Sequence, residues 1–174
     1  MGFSVTLASS VILIGMIAAF SCLSVAVIYG LKEISYATND YLSREREKLD
    51  VKLELSVESV NATSCNITVK NTGCKTVFLQ SQNGFQWNTI VFSYGNDSQW
   101  RSYLIEEYEV LDVKVSGTNS SFSPDNHSFI NPGEEAEISF DIPEVAPEIP
   151  LQGVVSVAFV THYGVTANSR AVRQ

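Results

Sequence analysis

The first 31 residues contain no Lys, Arg, Asp or Glu. All 11 basic and 19 acidic side chains lie from Lys32 onward and leave a formal charge of −8. A basic face is therefore lacking, which argues against nonspecific nucleic-acid binding, because neutralising phosphates requires Lys or Arg. It also argues against peripheral attachment to anionic lipid. Histidine is scarce (His127 and His162), and so is cysteine (Cys22, Cys65 and Cys74). That inventory gives poor support for a four-ligand zinc site. A Gly-rich phosphate loop and a zinc-protease helix are both missing. Neither histidine has a neighbouring Ser, Cys or Asp arrangement that spacing alone assigns to a nucleophile system. The reading is a protein without enzymatic chemistry, cofactor or metal; the contrasting alternative is a membrane-tethered hydrolase using His127 or His162.

What the N-terminus does contain is VTLASSVILIGMIAAFSCLSVAVIYGL, Val5 to Leu31. About 27 residues of helix extend roughly 40 Å, enough for about 30 Å of hydrocarbon. The run is apolar on all sides, too long and too uniform for a buried core helix. A cleaved secretory signal is the other reading, but no basic n-region precedes it. Residues 1–31 are thus read as one transmembrane helix in contact with membrane lipid. Cys22 packs there as a small hydrophobe. The small residues Gly15, Ala18, Ala19, Ser21, Ser24 and Ala26 would let a second helix approach closely.

Two signals disagree about orientation. Lys32, Arg44, Arg46 and Lys48 follow the helix and, by the positive-inside rule, would hold the C-terminal part in the cytoplasm. Against them stand five Asn-x-Ser/Thr sequons, at Asn61, Asn66, Asn96, Asn119 and Asn126, which are candidate N-glycosylation sites. Cys65 and Cys74 form a candidate disulfide in an oxidising compartment, although spacing does not establish connectivity. The sequons and the cysteine pair are given more weight, so the domain is expected outside the cytoplasmic membrane.

Lys32 to Asp50 (KEISYATNDYLSREREKLD) has no Pro or Gly and places Asp40 and Arg44 at i,i+4. Residues 32–49 are read as a helical stalk. The spacings Ile34/Tyr41 and Leu42/Leu49 are too few for a sustained coiled-coil seam. From Asp50 the hydrophobic period changes to two. Val51, Leu53, Leu55 and Val57 alternate with polar residues, which predicts a strand with one buried face. SCNITVKNTG, KTVFLQS, NTIVFSY, YEVLDVKVSG and EAEISFDIP are further strands bounded by turn residues. GVVSVAFVTHYG, apolar on both faces, is expected as the last strand and central in its sheet. PEVAPEIP is a stiff connection. Six to eight strands without an amphipathic helix predict an all-β immunoglobulin-like sandwich over residues 50–174, preceded by the N-terminal transmembrane α-helix.

Trp87, Trp100 and Tyr103 are candidate interface aromatics, since such residues are enriched at binding hot spots; core packing is the plainer role. Glu106 and Glu107 are adjacent in a strand-like stretch, where they would point to opposite faces as solvated residues. An open strand edge would allow self-association, so a homodimer is a further expectation.

The start MGFSVTLASSVILIG, the connector ending SREREKLDVKLELSV, the strand and turn VKNTGCKTVFL, and the turn and strand INPGEEAEISF together resemble the archaeal flagellum (archaellum) accessory protein F family. They run in the same order over most of the chain. The MGFSV start followed by an uncharged helix is the most specific feature; the NTG and NPGE elements are shared more widely with archaellin-like β-sandwiches. The resemblance implies a single-pass envelope protein whose sandwich lies beneath the surface layer. Its partners would be surface-layer protein and archaellum protein G, and it would help hold the stationary part (the stator) of the motility motor. No catalytic residues carry over. The runner-up is an archaellin or type IV pilin-like filament subunit. Such subunits are made with a charged leader before the helix, and only Met1 precedes Gly2 here.

Overall fold

The computed structural model describes residues 2–96, 99–118, 120–143 and 146–173. The chain divides into two compact units, Met1–Glu45 and Arg46–Gln174.

Helix α1 covers Gly2–Asp50 without a break. Its apolar part is long enough to cross a membrane, and every side chain from 7 to 44 is exposed. The hydroxyls within it bond back to the helix: Ser21 Oγ donates to Ile17 O and Ser24 Oγ to Phe20 O, each at 2.8 Å. This internal pairing removes the cost of carrying a hydroxyl into an apolar medium. Arg44 and Asp40 pair at 3.1 Å, one turn apart, as their spacing suggests.

The second unit is built from strands. In chain order they are β1 (Leu53–Val60), β2 (Ser64–Asn71), β3 (Val77–Phe78), β4 (Ser81–Gln82), β5 (Phe85–Gln86), β6 (Thr89–Asn96) and β7 (Gln99–Ile105). They continue as β8 (Glu109–Val115), β9 (Ser121–Phe122), β10 (Phe129–Ile130), β11 (Glu134–Asp141), β12 (Val154–Val160) and β13 (Thr166–Val172). One sheet has the order β1-β2-β11-β8-β9 and the other β13-β12-β6-β7; β10-β3 and β4-β5 form two short ribbons. Every pairing is antiparallel.

The two large sheets pack face to face. Ile67 and Val69 of β2 with Ile138 and Phe140 of β11 meet Ile90 and Phe92 of β6 with Val157 and Phe159 of β12 in one buried cluster. Phe92 and Phe140 touch edge to face across the layers at 5.7 Å. Strict alternation makes this possible: β2 and β11 bury every second residue, because successive side chains point to opposite faces. In β1 the register shifts between Val57 and Ser59. Glu58 and Ser59 are consequently both exposed before Val60 returns to the core, as a bulge requires.

This is the immunoglobulin-like sandwich expected from the pattern, with local differences. KTVFLQS is not one strand: Val77–Phe78 pairs with β10 and Ser81–Gln82 with β5. The Asn83-Gly84 turn of that second ribbon has φ of 54° and 81°, the left-handed pair that a two-residue hairpin favours. β12 is central as expected, but it is not last. β13 follows it, and TANSRAV escapes notice because Ala and Ser give a weak apolar alternation. Strand β7 ends at Ile105, so Glu106 and Glu107 are exposed loop residues rather than strand residues on opposite faces.

The last helical turn, residues 46–50, belongs to the sandwich unit. Thr72 N and Gly73 N both donate to Lys52 O at 2.9 Å, and Cys74 N donates to Asp50 O at 2.8 Å. Lys75 pairs with Glu47 at 3.2 Å and stands over the Tyr163 ring at 4.9 Å. A Cβ on Gly73 would lie 2.4 Å from Lys52 N and 2.6 Å from Asp50 O, so this close approach requires glycine.

Candidate interaction surface

The two turn motifs noted in the sequence meet in space. Asn71 of NTG is fully buried. Its Nδ2 donates to Lys75 O at 2.8 Å and Ile130 O at 2.9 Å, and its Oδ1 accepts from Gly73 N at 3.0 Å. Gly133 N of NPGE donates to Asn71 O at 2.9 Å. Glu134 Oε2 accepts from Asn131 N at 2.8 Å and faces His127 Nε2 at 2.9 Å. Burial opposes ionisation of Glu134, but the hydrogen bonds from His127 and Asn131 outweigh it and hold its carboxyl below the ordinary value. The His127 ring lies between Phe122 (4.6 Å) and Phe129 (4.0 Å). Both motifs thus work as fasteners of loops.

His162 lies in the turn after β12. Its backbone N donates to Asn88 Oδ1 at 3.1 Å, and its ring packs on Tyr163 (4.0 Å), Trp87 (5.7 Å) and Phe78 (5.8 Å). Burial, reinforced by the Lys75 charge, holds its pKa below the ordinary value, which keeps the ring neutral at pH 7. Among the described residues no group of three or more His, Cys, Asp or Glu is placed to hold a metal.

The cysteine pair requires correction. Cys65 pairs with Val60 at one end of β2, whereas Cys74 follows Asn71 past the other end, and both are free thiols. Six strand steps separate Cys65 from Asn71 by about 20 Å, and a disulfide needs Cα atoms within about 7 Å. Burial pushes the Cys65 thiol up to about 12.

The three candidate aromatics do not share a surface. Tyr103 turns inward and stacks on Tyr94 at 5.7 Å, while Trp100, three residues earlier on β7, is 53% exposed on the outer side. An odd spacing on a strand separates the faces. Trp87 stands apart from both, edge-on to Phe78 at 6.4 Å. Of the sequons, Asn61 is exposed in the β1–β2 turn and Asn126 in the β9–β10 loop. Asn66 is half-buried within β2, its Oδ1 accepting from Ser139 Oγ at 2.8 Å. Asn96 ends β6 opposite Gln99. Asn119 lies outside the described residues.

Sequence reasoning missed the contrast between the two outer sheet faces. On the five-stranded sheet, β1 presents Glu54 and Glu58, and β11 presents Glu135, Glu137 and Asp141. Lys114 of β8 bridges Asp112 at 3.3 Å and Glu137 at 3.0 Å. The four-stranded sheet is different. Its outward positions are Thr89, Val91, Ser93 and Gly95 on β6, and Trp100, Ser102 and Leu104 on β7. Those on β12 are Val154, Ser156, Ala158 and Val160, and those on β13 are Thr166, Asn168, Arg170 and Val172. Arg170 is the single charge among them. The sequence marked β6 and β12 as strands, but neither β13 nor the set of strands that share this sheet was legible in it.

No protein-family model matches the chain, and no curated protein matches it. Solved structures do. "The archaeal flagellum of Methanospirillum hungatei strain JF1" superposes with a TM-score of 0.60 at 10% identity, over 97% of this chain and 93% of that one. The two share a fold. The archaellum periplasmic stator protein FlaG from Sulfolobus acidocaldarius gives a TM-score of 0.44 at 15% identity, over 70% of this chain and 99% of that one. The stator protein complex of FlaF and FlaG from the same organism gives 0.43 at 14%, over 70% and 88%. The likeness to the flagellum structure takes in helix and sandwich together, at an identity that speaks for fold alone.

Proposed function

We propose that the protein is a non-enzymatic component of the archaellum machinery, held in the cytoplasmic membrane by its N-terminal helix with the sandwich on the outer side. One observation carries the reading: an uncharged helix and an acidic β-sandwich form one continuous chain whose fold matches an archaeal flagellum structure over almost its whole length. In this reading the chain is a stator element. The apolar helix is one attachment, surface-layer protein is the other, and archaellum protein G is a companion. A motor delivers torque only against a fixed reference, and a chain attached to both membrane and surface layer supplies one.

A second reading, a filament subunit, is favoured by the extent of the same match, since the helix is included. Shearing the cells separates the two. A stator element stays with the membrane after filaments are removed, and its deletion leaves filaments that do not turn or anchor properly. Recovery of the protein as the bulk of sheared filaments would refute the stator role and establish the filament role. Pull-down from detergent-solubilised envelope with the full chain as bait identifies the outer partner; retention of neither surface-layer protein nor archaellum protein G would overturn the tether.

A further inference from the structure

We infer that Asn61 is the asparagine this fold presents for N-glycosylation, at the end of the sandwich away from the helix junction, and that Asn66 stays bare. The inference rests on the reading that the sandwich lies outside the membrane, and it separates asparagines that the sequence treats alike.

A transferase recognises the asparagine together with the hydroxyl residue two positions on, so all three residues of a sequon must be reachable at a surface loop. Asn61, Ala62 and Thr63 are all exposed. They form the turn between β1 and β2. Asn61 N donates to Ser64 O at 2.8 Å, and Ile142 N donates to Thr63 O at 2.7 Å, so the turn backbone is held while its side chains face solvent. Among the described residues no hydrogen bond engages the Asn61 side-chain amide. Asn66 is the opposite case. It pairs with Ser59 of β1 on one side and Ser139 of β11 on the other, and the next residue, Ile67, is fully buried. Presenting that tripeptide means stripping an inner strand from both neighbours, an opening of the kind that costs most of the global stability. Asn126 is exposed, but His127 is held between Phe122 and Phe129 and against Glu134. Ser128 is half-buried, and its carbonyl accepts from Leu79 N at 2.8 Å. The sequons of Asn96 and Asn119 extend outside the described residues.

The donor is a glycan carried on a lipid phosphate. Asn61 Nδ2 forms the bond to the anomeric carbon, the bond from that carbon to the phosphate oxygen breaks, the lipid phosphate leaves with the electron pair, and Nδ2 gives up one proton. Room for the first sugars is present beside the turn. Ala62 and Thr63 form one wall of a cleft of about 630 Å³, and Asp141, Pro143 and Pro147 lie on the others, a volume in the range of small-ligand sites. The two prolines offer apolar ring faces, and the Asp141 carboxylate accepts from sugar hydroxyls. Strand β1 has eight residues and carries the chain about 25 Å from the helix junction to this turn. A glycan on Asn61 therefore crowns the far end of the sandwich and leaves the NTG turn and its contacts with Asp50–Lys52 clear.

The test uses the full chain purified from the membranes of its own cells, with glycan occupancy read by peptide mass spectrometry. Asn61 and Asn66 fall in one tryptic peptide, so fragmentation that keeps the sugar on the peptide is needed to tell them apart. Asn61 should carry glycan and Asn66 none. Asn61→Gln and Thr63→Ala should each lower occupancy of this peptide at least tenfold, whereas Thr63→Ser, which keeps the hydroxyl, and Asn66→Gln should leave it in place. Thr63→Ala keeps the test decisive should Asn61→Gln fail to fold. A bare Asn61 in the wild type overturns the inference, and so does glycan on Asn66 or Asn126 at the level of Asn61, which would mean that the fold does not select the site. Protease added to intact spheroplasts separates the two readings. A digested sandwich with a bare Asn61 refutes this inference and leaves the outward placement standing; a protected sandwich with a bare Asn61 refutes both.

Discussion

Replacing Gly73 by Ala inserts a methyl group where Lys52 N would be 2.4 Å and Asp50 O 2.6 Å away. Both obstacles are backbone, so no rotamer change relieves the clash. Either the NTG turn or the Asp50–Lys52 segment must move, and three backbone hydrogen bonds join them. Each contributes about 0.5–1.5 kcal/mol net. Val51, between the acceptors, is 4% exposed, and full burial of such a side chain is worth about 1.5–3 kcal/mol. Partial loss of both amounts to about 2–4 kcal/mol, within the range for strained backbone changes. For a unit of this size that lowers Tm by roughly 10 °C. Tryptophan fluorescence of the full chain in detergent is the assay, because Trp87 and Trp100 are the only tryptophans and both lie in the sandwich. Gly30→Ala, with open space around its Cβ, should leave the transition unchanged. A Gly73→Ala protein melting within 2 °C of wild type would refute the claim that this approach fastens the helix end.

Asn71→Ala should cost about 2–4 kcal/mol, since it leaves buried backbone acceptors unpaired; a loss under 1 kcal/mol in denaturant titration would contradict the central role given to that side chain. Glu134 has a depressed folded pKa, so its contribution is complete above the ordinary carboxylate value of 4.5 and disappears as pH falls through the folded value. The stability difference between wild type and Glu134→Gln should accordingly shrink below about pH 4.5, and a difference that widens there would reverse the assignment. In thiol labelling of the native protein, Cys74 should react within minutes and Cys65 only on unfolding. Non-reducing peptide mapping that recovered a Cys65–Cys74 disulfide would contradict the strand geometry. His162→Asn should leave motility intact in cells where the protein remains folded and abundant; abolished swimming would reopen a chemical role for that ring.

The N-terminal helix and the two-residue alternation of β1, β2 and β11 are determined by local sequence. An uncharged apolar run has few alternatives, and a period-two pattern fixes which side chains share a face. The turn chemistry of NTG and NPGE is also local, although its purpose is not: Asn71, Gly73, Gly133 and Glu134 acquire their meaning only when the two turns come together and the NTG turn closes on Asp50–Lys52. Tertiary structure alone decided that β7 and β13 are strands, because their weak alternation is completed by pairing with β6 and β12. It separated Cys65 from Cys74, since a strand between two cysteines acts as a rigid spacer that sequence distance does not reveal. It also sorted the charges. Acidic residues are scattered along the chain, and only the order of strands in each sheet gathers Glu54, Glu58, Glu135 and Glu137, with Lys70 and Lys114 among them, on one outer face and leaves Arg170 as the single charge on the other. Sheet order is set by long-range burial of Phe92, Phe140, Val157 and Ile67 in a common core, a constraint that no short window of sequence contains.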